Sequence, residues 1–267
     1  MLNSNFNIMG VLNVTPDSFF DGGEYNCLEL AVEQALRMES AGAKVIDVGG
    51  ESTRPGAAEV TVEQELNRVV PVIEAIRKRS DVLISIDTSK AAVMEAAIAA
   101  GASIINDVRG LSQPGAIEAA VALDVPVCLM HMQGQPRTMQ ANPEYENVVA
   151  DVLAYLLEKT DECIAHGIKQ SNIWIDPGFG FGKTVSHNLS LLKHLHQFVD
   201  TGYPVLVGMS RKSMLGAILD VSVEERLAGS LALATIACLN GAAIIRVHDV
   251  EETVHVAKVC AAYKKVE

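Results

Sequence analysis

Positive charge is scarce in this sequence. Against 33 acidic residues stand only 21 lysines and arginines, a formal net charge of −12. A polyanion such as DNA would be repelled overall, so nucleic acid is not the expected partner. Paired cysteines are also missing: there are five, an odd number without paired spacing. That argues against a disulfide framework and for a reducing, cytoplasmic setting. No basic segment leading into an apolar core opens the chain, so no export signal is expected. One long uncharged run lies between Arg226 and Arg246, but it contains Ser230, Thr235 and the helix-stopping pair Asn240-Gly241. It reads as an Ala-rich helix followed by a buried strand, and no membrane association is expected. Linkers, low-complexity tracts and breaks in composition are lacking, so residues 1–267 are expected to form one domain.

What is present is a soluble globular composition, 49% hydrophobic and 20% charged. Short β-rich runs alternate throughout with long amphipathic or Ala-rich runs. Strands are predicted at 7–14, 43–50, 82–88, 103–108, 126–131, 172–177, 204–210 and 243–249. Each is nearly continuously apolar, as parallel strands covered on both faces should be. Helices are predicted near 28–41, 62–79, 90–100, 115–123, 144–166, 186–199, 222–240 and 250–264. Gly42, Gly101, Gly167, Gly202 and Gly241 supply stop signals. Eight strand–helix units imply an α/β fold of the (β/α)8 TIM barrel type, for which about 250 residues is typical. An open doubly wound sheet is the rival, and eight regular units favour closure.

Barrels of this type carry their chemistry at the C-terminal ends of the strands. Here each predicted strand is apolar until its end and then turns polar. The ends supply Asn13 and Asp17, Glu51 to Arg54, Asp87, Asn106 with Asp107, His131, Asp176, Ser210 to Ser213, and Arg246 with His248. The cations Arg54, Lys183, Arg211, Lys212 and Arg246 all fall at this rim, a local basic cluster on an acidic chain. Arg211, Lys212, Arg246 and His248 follow strands seven and eight, where such barrels often bind phosphate.

The stretch "DPGFGFGKT" at 176–184 resembles a phosphate loop but fits neither standard motif. Pro177 stands where a P-loop needs its first glycine, and the G-x-G-x-G spacing misses the dinucleotide fingerprint. Asp176 is expected deeper in the site, with Asp87 and Asn106. Ionised carboxylates only accept hydrogen bonds, and Asn both donates and accepts, which suits a ligand rich in N–H groups. The implied ligand is a nitrogen heterocycle carrying a phosphate or diphosphate.

The segments "NVTPDSFFDGG", "DVGGESTRPGA", "SIDTSK", "IINDVRGL", "LMHMQGQPRTMQ", "DPGFGFGK", "GMSRKS" and "RVHDV" resemble the dihydropteroate synthase family of the bacterial folate pathway. They run in order, one per predicted strand. The resemblance implies attack of 4-aminobenzoate on the methylene of (7,8-dihydropterin-6-yl)methyl diphosphate, with Mg²⁺ required. It implies pterin contacts from Asp87, Asn106, Asp176 and Lys212, and a Mg²⁺ ligand in Asn13. Diphosphate contacts are implied for Thr53, Arg246 and His248, and an aminobenzoate wall for Ser213, Pro55, Phe181 and Lys212. Sulfonamides would compete at that wall. Asp87, Lys212, Arg246 and His248 form the expected catalytic set. The amine is already neutral at pH 7, so the burden falls on stabilising the departing diphosphate. Gly22-Gly23 and Gly49-Gly50 mark the first two loops as lids. The family is dimeric, and part of the contact is expected on the apolar helix 226–240. A related pterin-binding methyltransferase with a corrinoid partner, or a non-catalytic pterin binder, are the alternatives.

Single residues also have ordinary readings. Asp87 and Asp107 suit helix N-caps, and Asn13 and Asp17 suit turns. His131 reads as a packing residue at the barrel end, and Lys183 as a solvated charge without a role.

Overall fold

A computed structural model describes residues 6–15, 23–52, 60–134, 139 and 143–266. Eight parallel strands alternate with helices. They are β1 (Asn7–Asn13), β2 (Val45–Gly49), β3 (Leu83–Asp87), β4 (Ile104–Asp107), β5 (Val127–Met130), β6 (Ile173–Asp176), β7 (Leu206–Val207) and β8 (Ile244–Val247). The sheet runs β6-β5-β4-β3-β2-β1-β8-β7. Its two ends meet where Ile175 bridges Val205 and donates to the Pro204 carbonyl at 3.0 Å. The fold is the expected (β/α)8 barrel.

The helices are α1 (Gly23–Ala41), α2 (Val62–Arg77), α3 (Ala91–Ala99), α4 (Ala116–Leu123), α5 (Val148–Ala165), α6 (Val185–Lys193), α7 (His196–Val199), α8 (Ser213–Leu219), α9 (Leu227–Leu239) and α10 (Val250–Tyr263). Helix α5 starts later than predicted because the Asn147 side chain accepts from the amides of Val149 and Ala150 and caps it there. The predicted helix 186–199 is broken at His194, whose φ of −107° and ψ of 22° leave the helical region. The short α8 was not expected. It ends at Asp220 in the left-handed region, φ +55°, and only then does the chain reach α9. Among the described residues no helix is long and apolar enough to cross a membrane.

Strand alternation divides the core into two layers. Ile46, Val48, Ile84, Ile86, Ile105, Ile175 and Ile245 face outward and pack beneath the helices. Met9, Val45, Ile104, Cys128, Trp174, Leu206 and Ile244 face inward and plug the barrel. The next inward position on several strands is polar: Asp47 follows Val45, Asn106 follows Ile104, Asp176 follows Trp174, and Arg246 follows Ile244. An apolar floor thus lies under a polar mouth.

Candidate active site

Arg246 occupies the centre of that mouth. Its Nε donates to Asp47 Oδ2 and its Nη2 to Asp87 Oδ2, both at 2.6 Å. Asn106 Nδ2 donates to the same Asp47 oxygen at 3.2 Å. Burial works against the guanidinium charge, but Asp47 and Asp87 outweigh it and raise the pKa further. Burial lifts the Asp87 carboxyl to about 7, against the pull of Arg246. Sequence reasoning missed Asp47, the fully buried hub of this network. Its signal was an acid inside the apolar strand "VIDVG". Two nitrogens of Arg246, the expected diphosphate contact, bind carboxylates, and Nη1 makes no hydrogen bond among the described residues.

A second group lies across the mouth. Asp176 Oδ1 accepts from the Gly178 amide at 2.7 Å. Lys212 Nζ donates to the Phe179 carbonyl and sits 4.4 Å from the centroid of the Phe181 ring, a cation–π contact. Burial lowers Lys212 to about 8, with Asp176 opposing. Burial raises Asp176, with Lys212 opposing. Lys212 also feels Arg246 and Asp87, so the two groups share one electrostatic field.

The remaining predicted residues are placed as follows. Asn13 pairs with Gly49 and Gly49 with Asp87 in register, so Asn13 and Asp87 flank a glycine. A Cβ built on Gly49 would lie 3.8 Å from Asn13 Oδ1 and 3.7 Å from Asp87 Oδ2. His248 is exposed and its Nδ1 lies 3.1 Å from Ser210 Oγ. Ser213 opens α8 and is exposed. Thr53, Arg54, Pro55 and Asp17 lie outside the described residues.

Three readings are corrected. Arg211 is not an available rim cation: Nε and Nη2 grip Asp249 at 2.9 and 2.7 Å, and Nη1 donates to the Val223 carbonyl at 3.1 Å. This pair ties the loops after β7 and β8 together. Lys183 is not solvated; it is 3% exposed, and burial lowers it to about 7. Asp107 is no helix cap: it faces away from the mouth and accepts from Ser89 Oγ and from the amides of Arg109 and Leu111, the latter two at 2.8 Å. His131 is buried against Tyr155 as a packing residue, with ring centroids 4.9 Å apart.

Residues 9–248 match the description of a pterin binding enzyme. The chain is 57% identical over 255 residues to dihydropteroate synthase of Haemophilus influenzae, covering 96% of this chain and 93% of that protein. The chain belongs to the dihydropteroate synthase family. Solved structures of the family superimpose closely. A Yersinia pestis dihydropteroate synthase in complex with a sulfonamide drug matches at 53% identity with a TM-score of 0.94, covering 98% of this chain and 96% of that one. A Xanthomonas albilineans dihydropteroate synthase with 4-aminobenzoic acid matches at 46% identity with a TM-score of 0.93, covering 98% and 94%. A pterin-binding family accords with the acceptors Asp87, Asn106 and Asp176 gathered over the barrel floor. No group of three or more His, Cys, Asp or Glu side chains able to hold a metal occurs among the described residues.

Proposed function

We infer that this chain joins (7,8-dihydropterin-6-yl)methyl diphosphate to 4-aminobenzoate, giving 7,8-dihydropteroate and diphosphate, the activity of its family. The observation that carries this is the pairing, in one mouth, of acceptors for an N–H-rich ring with the Arg246 guanidinium set among them. The pterin would lie over the floor, with Asp87, Asn106 and Asp176 accepting from or donating to its edge and Lys212 beside it. The amine nitrogen attacks the methylene carbon, the C–O bond to diphosphate breaks, and its electron pair leaves with diphosphate. The amine then sheds its proton. Arg246 Nη1 and His248 face the departing anion, and the carboxylates steady positive charge growing on the pterin methylene. Ser213 and Phe181 form the aminobenzoate wall; the parts the resemblance implies for Pro55 and Thr53 fall outside the described residues.

Asn13 Oδ1 is a hard oxygen donor without a hydrogen bond among the described residues, beside Asp87 across Gly49. That suits Mg²⁺, which binds through few protein oxygens plus phosphate. Bound there, Mg²⁺ would neutralise diphosphate charge. The test is diphosphate release from the pterin diphosphate and 4-aminobenzoate, with Mg²⁺ and with chelator. Turnover that requires both substrates and falls on chelation is expected; no release with Mg²⁺ would refute the assignment. A corrinoid-dependent methyltransferase needs no diphosphate site, so His248 and the free edge of Arg246 count against it.

The free thiols among the described residues suit a cytoplasmic location. We place a homodimer contact on the face of α8, α9 and α10, where Ile218, Leu219, Ile236, Leu239, Val259 and Tyr263 are exposed; Val259 and Tyr263 each reach 69%. Sedimentation should show a dimer, and Val259→Glu should weaken it. A monomer at micromolar concentration would remove the contact.

A further inference from the structure

The "DPGFGFGKT" loop inverts the logic of a phosphate loop. Phosphate loops aim amide N–H groups at an anion. Here the loop aims carbonyls at cations. Gly178, Gly180 and Gly182 all have positive φ, at +70°, +82° and +62°. At Gly178 and Gly182 the neighbouring backbone leaves no room for a side chain. A Cβ on Gly178 would lie 1.8 Å from the His131 carbonyl oxygen, and one on Gly182 would lie 2.4 Å from that of Gln133. With the turns so fixed, the Gly178 and Phe181 carbonyls face one way and the Phe179 carbonyl meets Lys212.

Lys183 fills the first pair. Its Nζ lies 2.9 Å from the Gly178 carbonyl oxygen, 3.0 Å from that of Phe181 and 2.9 Å from Nδ1 of His131. An ammonium has three N–H donors, and here three close acceptors meet them. The third acceptor belongs to the end of β5, so Lys183 stitches the loop to a different strand. Burial, with Lys183 itself, lowers His131 to about 3, which keeps the ring neutral and able to accept. Asn188 braces the other side: its Oδ1 accepts from the Gly180 amide at 2.7 Å, and its Nδ2 donates to the Lys183 carbonyl at 3.3 Å. Tyr145 donates to the Gly182 carbonyl at 2.8 Å. Phe181 is therefore held twice, by its carbonyl on Lys183 and by its ring under Lys212.

We propose that Lys183 is a positioning residue: it holds segment 178–182 so that Phe181 meets Lys212 and completes the side of the mouth that receives the amine substrate. This rests on the reading that Phe181 lines the aminobenzoate site. Lys183 itself touches no substrate in this scheme. Its loss should therefore act on one substrate and spare the other. Asp176, assigned to the pterin, takes its own hydrogen bond from Gly178 and feels the Lys183 charge less than that of Lys212.

The test uses Lys183→Met in the full chain, with two readouts. Hydrogen exchange at the Gly180 and Phe181 amides should quicken by about tenfold or more, while β1–β3 stay protected. The KM for 4-aminobenzoate should rise about tenfold, with the dissociation constant of the pterin diphosphate changed by less than about threefold. Should the variant not fold, His131→Phe keeps the packing on Tyr155, removes one acceptor, and is read in the same way. Unchanged exchange in 178–182, or equal rises in the two substrate constants, overturns the proposal. If the wild type releases no diphosphate, the functional reading fails by itself, and the exchange measurement still decides whether Lys183 holds the loop.

Discussion

Replacing Arg246 with alanine should lower turnover about a thousandfold and cost about 3 kcal/mol of stability. Arg246 neutralises Asp47, which is fully buried, and Asp87, each at 2.6 Å. Removing one partner of a buried pair costs about 3–5 kcal/mol, because a charge is left uncompensated. Here the lower end applies, since Asp87 sits near 7 even beside Arg246 and can take up a proton instead. That escape changes the site. A protonated Asp87 offers a donor to a pterin edge that needs acceptors. Free pterin should then bind the variant poorly at pH 7, because loss of the Arg246 charge raises Asp87 further. A pterin diphosphate should lose more affinity than free pterin, because the cation at its leaving group is gone as well. Calorimetric titration of both ligands, with denaturant unfolding alongside, checks this. Equal deficits for the two ligands, or an unchanged unfolding free energy, would contradict the assigned role.

The barrel was legible because each strand is covered on both faces and so reads as an apolar run. The mouth was legible because Asp87, Asn106, Asp176 and Arg246 break those runs at their C-terminal ends. What escaped was pairing over distance. Arg211 reads as a cation ready for phosphate, but its partner Asp249 lies 38 residues away. Lys183 reads as a surface charge because its acceptor His131 comes from another strand, 52 residues upstream. Asp47 was hidden by its apolar neighbours, and its partner Arg246 is 199 residues distant. Helix α8, the seven residues "SMLGAIL", is too short for a 3.6-residue period to declare itself.

Replacing Asp176 with asparagine should weaken pterin binding about a hundredfold while leaving the fold intact. The change is nearly isosteric, so its effect comes from hydrogen-bond polarity. In the native site Oδ1 is taken by the Gly178 amide at 2.7 Å, and the other carboxylate oxygen is left for ligand. An asparagine has a single oxygen, and the Gly178 amide would claim it. The amide nitrogen would then point into the mouth and set two donors against the N–H groups of the pterin. A buried donor facing a donor loses the hydrogen bond and leaves both groups desolvated, about 2–3 kcal/mol. Loss of the carboxylate also removes the main charge opposing desolvation of Lys212, so that lysine should titrate below its native value of about 8. Pterin affinity by titration, and the Lys212 pKa by NMR, measure the two consequences separately. Wild-type affinity in a folded Asp176→Asn protein would take Asp176 out of the pterin site. An unmoved Lys212 would show that the two groups do not share one mouth.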